Sequence, residues 1–260
     1  MRASRDITRQ VTVVASAVIA IVGSFVGSGA AGGTQIQDAA GGALAADATL
    51  IAPAAPAFGI WAVIYLGLVA YAVWQFTPGQ SATQRHRRIG YWVAASLVLN
   101  AAWILSIQYG LLALSVPIIV ILLAVLLRVF IELSSSAPTD RLDALLTDGA
   151  LGLYLGWVAI ATAANVTAFL VAIGFTGFGL PAELWSVVVI AVAALAGVAL
   201  AVYGRGRIAP ALSLSWGLAW VAVGRLAGEP ASTATGVAAI VAVVIVLGSA
   251  ITVRTRRRRS

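Results

Sequence analysis

The residues best placed to do chemistry are two carboxamides and a group of aromatic side chains, all set deep in long apolar stretches. Trp61 and Tyr65 are four apart, Asn100 and Trp103 three apart, and Tyr154, Trp157, Ala161 and Asn165 recur along one later stretch. Spacings of three and four put side chains on one face of a helix. Eleven residues from Tyr154 to Asn165 nearly complete three turns, which keeps that set on roughly one side. An isolated Asn in a membrane helix is commonly glue between helices. Clustered with indoles and phenols it points instead to a cavity that stacks a planar ligand and orients it through an amide. Acid–base chemistry has little to work with, because no carboxylate or histidine pair lies in these stretches. Cysteine is absent and histidine occurs once, so thiolate and clustered metal sites are excluded and no cofactor is expected. All 16 basic residues are arginine, which rules out a retinal-type Schiff base.

The elements that hold these residues are membrane helices. Of 260 residues, 61% are apolar and 10% charged, and the mean hydropathy is +1.01. A span takes roughly 20 apolar residues, and in lipid only helices or closed barrels satisfy the backbone. Unbroken apolar runs select an all-α polytopic bundle of about eight helices: Val11 to Gly29, Phe58 to Phe76, Ile89 to Tyr109, Leu111 to Leu133, Gly149 to Ile173, Leu184 to Tyr203, Ile208 to Leu226 and Thr235 to Val253. Gly110 is the only break between the third and fourth.

Arginines near the span ends set the orientation by the positive-inside rule. Arg2, Arg5 and Arg9 precede the first span, and Arg85, His86, Arg87 and Arg88 lie between the second and third. Arg128, Arg141, Arg205, Arg207, Arg254 and Arg256 to Arg259 fall on the same side. The opposite segments, 30–57 and 174–183, hold no basic residue. Both termini are therefore cytoplasmic, and a bacterial cytoplasmic membrane is the expected location. Arg225 alone falls outside, where Glu229 at i+4 is its expected partner. His86 reads as part of a basic inner loop. A competing reading of the N-terminus is a signal peptide ending near Ser28-Gly29-Ala30-Ala31, although the apolar stretch exceeds the usual 7–15 residues.

The net charge of +7 follows from this topology and from the terminal Arg256 to Arg259 cluster. That cluster is expected to anchor on anionic lipid. Nothing accompanies it that would read nucleic acid. Gly23-xxx-Gly27 and Gly152-xxx-Gly156 allow close helix approach, read first as packing within the chain and second as a homodimer face. Trp74, Trp92 and Trp185 near span ends suit an interfacial belt. Trp157 and Trp216 are too deep for it, and Trp216 with Trp220 either pack or extend the cavity.

Three ordered motifs carry a family resemblance: Pro56-Ala-Phe58-Gly-Ile-Trp61-Ala-Val-Ile-Tyr65, then Leu99-Asn100-Ala-Ala-Trp103, then Tyr154-Leu155-Gly156-Trp157 with Ala161 and Asn165. The set resembles the tryptophan-rich sensory protein (TspO, translocator protein) family over about the first 175 residues. The resemblance implies a five-helix transmembrane bundle over residues 1–175, with residues 176–260 adding three helices and a basic tail. It implies a membrane receptor whose pocket binds flat apolar ligands, chiefly porphyrins and other tetrapyrroles, with sterols in some relatives. Trp61, Asn100 and Trp157 are then pocket contacts, and Tyr65, Trp103, Tyr154 and Asn165 line or pack the pocket. Pro53 and Pro56 shape an entrance loop. Some relatives are credited with light-dependent porphyrin breakdown through a pocket Trp. The alternative from another class is a small transporter whose path would use Asn100, Asn165, Ser213 and Ser215, with Pro117 and Pro210 as the nearest helix irregularities.

Overall fold

The computed structural model describes Arg2–Arg259, with side chains described for residues 4–257. The side chains of Arg2, Arg258 and Arg259, which belong to the two basic clusters, lie outside the described residues. Eight long helices follow in order: α1 (Arg2–Gly27), α2 (Ile60–Trp74), α3 (Gln84–Gln108), α4 (Leu112–Ser134), α5 (Arg141–Ala172), α6 (Ala182–Tyr203), α7 (Ile208–Ala227) and α8 (Thr233–Arg259). There is no strand among the described residues. Helices α1 to α5 close into a ring in the order α1, α3, α4, α5, α2. Outside it, α7 packs on α5, and α8 packs on both α7 and α6.

Lipid-facing positions are apolar and open. Leu66, Leu195 and Val244 are 72%, 69% and 65% exposed, which is tolerable only where the solvent is hydrocarbon. Seven of the eight helices are long and apolar enough to cross a membrane. The exception, α7, carries Ser213, Ser215, Trp216, Trp220 and Arg225. Its position explains the composition, because Ala211, Leu214, Leu218, Val221 and Ala222 are all buried against protein. Its 20 residues still rise about 30 Å, the thickness of the hydrocarbon core. Its two ends meet opposite faces of the bundle, as described below.

Several helices run further than hydropathy alone predicts, each for a polar reason. α1 begins at Arg2 rather than Val11 because its first turns are tied to the inner ends of α2 and α3. Arg87 grips Asp6 with two bonds of 2.8 and 2.6 Å. Arg9 donates to Ser81 O at 2.8 Å, and Gln10 to Gln75 O at 2.7 Å. α1 thus packs as a full member of the bundle. α5 begins at Arg141 rather than Gly149, capped by Asp140, whose carboxylate accepts from the amides of Leu142 and Asp143 at 2.8 Å. A π-helical turn over Ala144–Gly149 then widens the helix. Within this stretch, Asp148 takes both Arg85 of α3 and Arg207 at the start of α7. Arg207 also donates to Leu133 O of α4 at 2.6 Å.

Two expectations about charged residues need correction. His86 is not in a loop: it sits in the first turn of α3, fully buried, with Nε2 3.1 Å from Gln80 Oε1 and 3.8 Å from Asp143 Oδ1. The Thr83 cap extends α3 inward far enough to enclose it. Arg225 does not pair with the Glu229 carboxylate; it donates to the Glu229 carbonyl at 3.1 Å and to carbonyls of the outer loop. A guanidinium buried to 1% needs several acceptors, and turning loop carbonyls supply them.

Both small-residue pairs are spent inside the chain. A Cβ on Gly23 or Gly27 would lie 2.8 Å from Ala101 or Ile104 of α3. On α5, a Cβ on Gly152 would lie 2.8 Å from Ala209, and on Gly156 only 2.1 Å from Pro210 O. Backbone contact between α5 and α7 therefore requires glycine. Gly156→Ala should lower stability by about 1–3 kcal/mol through overpacking. Gly248→Ala, where a Cβ meets nothing within 4 Å, should leave it unchanged or slightly raised. Thermal unfolding of the two variants in detergent measures the contrast, and equal midpoints would refute the close-approach account.

Candidate functional site

One cavity lies at the outer end of the five-helix ring. Its walls are Phe58 in the 3-10 turn before α2, Trp61 at the start of α2, Trp103 on α3, and Trp157, Ile160, Ala161, Ala164, Asn165 and Ala168 on α5. Its roof is the long outer loop, through Ala43, Leu44, Thr49, Ala52 and Pro53. The α5 wall repeats at i, i+3, i+4 and i+7, and its small side chains make the room.

The aromatic groups hold one another in place. Trp61 stacks on Tyr65 with centroids 5.4 Å apart and meets Trp157 and Tyr154 edge-on at 6.2 and 6.0 Å. Phe58 closes on Trp157 at 5.9 Å, also edge-on. These are the geometries that a ring quadrupole favours. The remaining open volume is about 40 Å³. A water needs roughly 10–15 Å³ by this measure, whereas pockets for small molecules begin at about 300 Å³. Anything larger than a few waters requires the walls or the roof to move.

Two hydrogen-bonded knots fix the walls. At the outer end, Trp103 Nε1 donates to Asn165 Oδ1 at 2.6 Å, and Asn165 Nδ2 donates to Ser115 Oγ at 2.8 Å. This ties α3, α4 and α5 together, with all three residues buried. One layer deeper, Asn100 Nδ2 donates to the Tyr65 hydroxyl at 2.5 Å, and Tyr65 also makes a short contact with Ser24 Oγ of α1. Tyr154 donates to Ser96 O of α3 at 3.1 Å.

The residues singled out from the sequence therefore separate into two tiers. Trp61, Trp103, Trp157, Asn165 and Pro53 line the cavity. Tyr65, Asn100 and Tyr154 stand behind Trp61 and set its position rather than facing the open space. Pro56 lies in the 3-10 turn Ala55–Gly59 that leads into α2 and is not among the lining residues. Two polar atoms in this region have no hydrogen-bond partner among the described residues: Trp157 Nε1, on a lining side chain, and Asn100 Oδ1. Sequence reasoning missed the roof residues Ala43, Leu44, Thr49 and Ala52, because an Ala- and Gly-rich loop has no periodicity to read. The α5 residues Ile160, Ala164 and Ala168 could have been found from the helical spacing of Trp157, Ala161 and Asn165.

Trp216 and Trp220 do not extend the cavity. They meet edge-on at 5.6 Å, and Trp216 Nε1 donates to Ala57 O at 2.9 Å. Of the polar residues considered for a transport path, Asn165 alone lines this cavity, and Ser215 is buried with no hydrogen-bond partner for its hydroxyl among the described residues. Ser213 bonds to carbonyls of its own helix, while Asn100 and Asn165 are engaged in separate knots. Among the described residues no group of three or more His, Cys, Asp or Glu could hold a metal ion.

Comparison with protein families matches residues 12–251 to the family described as TSPO-like protein. The match runs through α6, α7 and most of α8, beyond the part of the chain that carries the three motifs. No curated protein and no solved structure matches the chain. Seven helices able to cross a membrane and a family match over nearly its whole length make this chain a multi-pass integral membrane protein that belongs to the TSPO-like family.

Proposed function

We propose that the outer cavity binds a flat, apolar ligand of the porphyrin or tetrapyrrole class and that the protein serves as a membrane receptor or sensor for it. The observation that carries this reading is the convergence of three indoles, Trp61, Trp103 and Trp157, on one cavity. Stacking and edge contacts with indoles favour a broad conjugated ring over a compact or flexible apolar molecule. The buried Trp157 N–H, without a partner among the described residues, supplies a donor to a ligand acceptor. A buried donor left unpaired is costly, so a ligand that satisfies it gains accordingly. Sterol-like ligands share the apolar bulk but lack the conjugated face, which makes them the natural competitors in a binding test.

Titration of the detergent-purified protein with protoporphyrin IX should give saturable quenching of tryptophan fluorescence. Trp157→Phe should weaken binding roughly fivefold, the equivalent of about 1 kcal/mol for an indole contact. A parent protein without saturable quenching would sink the proposal, and stronger competition from a sterol than from a second porphyrin would move it to the sterol class.

Asn165 gives a second test, because its amide is already engaged by Trp103 and Ser115. It acts on the ligand by holding the Trp103 wall. Asn165→Ala should lower stability by roughly 0.6–2 kcal/mol, the range for interhelical bonds in membranes, and should weaken porphyrin binding with it. Thermal unfolding and the same titration read both effects; weaker binding at unchanged stability would instead make Asn165 a direct ligand contact.

A further inference from the structure

The roof of the cavity is held from outside the five-helix ring. Arg225 of α7 donates to Thr49 O at 3.1 Å and to Ala46 O at 2.6 Å. The Ala54 amide donates to Trp220 O at 3.1 Å, and Trp216 Nε1 to Ala57 O at 2.9 Å. The loop lies against Gly224, with Ala54 N and Ala52 O 3.5 and 3.7 Å from where its Cβ would be, an ordinary contact distance. Apart from bonds within the outer loop and to the start of α2, the hydrogen bonds of segment 43–58 among the described residues run to α7. The same segment supplies Ala43, Leu44, Thr49, Ala52, Pro53 and Phe58 to the cavity.

We propose that α7 is the latch of this roof and that Arg225 is its positioning residue, so that release of the Arg225 and Trp216 bonds controls access to the cavity. The physical argument is one of asymmetry. Toward the cavity the segment presents apolar side chains and Thr49, whose hydroxyl is engaged within the segment by the Ala52 amide, so this face can separate and rejoin with no directional penalty. Toward α7 it presents main-chain carbonyls and an amide, which must be broken one by one. Arg225 is 1% exposed, so its guanidinium cannot stay hydrated while the loop is closed, and the loop carbonyls are its substitute for water. Anchoring the roof on a helix outside the ring lets it lift without disturbing the Trp103–Asn165–Ser115 knot. This deepens the binding reading of the same cavity, yet the latch itself does not depend on which ligand is bound.

The absence of cysteine makes the test direct. Ala161→Cys places one thiol on the cavity wall, and its labelling by a small water-soluble methanethiosulfonate reports opening of the roof in full-length protein. Adding Arg225→Gln should raise the labelling rate about tenfold or more, and Trp216→Phe by a smaller factor of about fivefold, since each removes bonds that hold the segment closed. Hydrogen exchange should quicken by similar factors over residues 43–58 and stay unchanged in α3 and α5, an outcome that general destabilisation would not give. Unchanged labelling and exchange in both variants would overturn the latch, as would faster exchange spread evenly over the bundle. These readouts use no ligand, so failure of porphyrin binding would strike the proposed function and leave the latch to be judged on its own.

Discussion

A polar group inside a membrane bundle has no water to fall back on, and the architecture of this protein follows from where each such group finds its partner. Apolar contact alone does not order the helices, because lipid tails are as apolar as leucine. The helices are ordered instead by glycine-mediated backbone contact and by a few buried polar knots. At the inner face, Asp148 joins Arg85 and Arg207, bringing α3, α5 and α7 to one point. In the outer half, Asn165 joins Trp103 and Ser115, fixing α3, α4 and α5. The cavity lies beside the outer knot, where alanines on α5 leave space between the helices that Asn165 joins.

The same logic explains why the last three helices are integral to the bundle. α7 is too polar to count as a span by composition, and as a lone helix in lipid it would be poorly served. Packed on Gly152 and Gly156 of α5, it buries Ser213 against backbone carbonyls and brings Arg207 and Arg225 to opposite ends, each among acceptors. α8, and to a lesser extent α6, cover further sides of it, while Leu212, Val223 and Leu226 stay exposed as a lipid-facing strip. That the family match continues through this region agrees with a structure in which α7 touches both the ring and the roof.

Much of this was legible in the sequence. Hydropathy and arginine placement gave the helices and their alternation, because lipid imposes a minimum apolar length and the arginines collect on one side. The spacing of Trp61, Trp103, Trp157 and Asn165 gave one wall after another, since a helical face is a matter of counting residues. The parts that stayed hidden depend on long-range partners. Nothing local in Arg225 distinguishes a carboxylate partner at i+4 from carbonyls some 176 and 179 residues away. Asn100 and Tyr65 are adjacent in space because α2 and α3 pack in one register, and that register, which decides that they brace Trp61 rather than face the cavity, is not written in either motif. His86 was hidden for a simpler reason: its surrounding arginines read as solvated, and it took the Thr83 cap and Asp143 to enclose it.

The small open volume and the proposed ligand pull against each other, and the roof resolves the tension. Some 40 Å³ cannot take a macrocycle, so a binding-competent form must have its walls parted or, on the latch proposed above, segment 43–58 displaced. Four hydrogen bonds join that segment to α7, two of them from the Arg225 guanidinium; a neutral bond is worth about 0.5–1.5 and one to a charged group about 1.5–3 kcal/mol net, so lifting it costs roughly 4–9 kcal/mol. The open form is then a minor species, of the order of a tenth of a per cent or far less, and apparent affinity falls by the same fraction. A ligand that lets the roof reclose over it recovers that cost, whereas one that props the roof open does not. A rarely open roof implies slow exchange between the cavity and its surroundings, in keeping with the receptor reading proposed above.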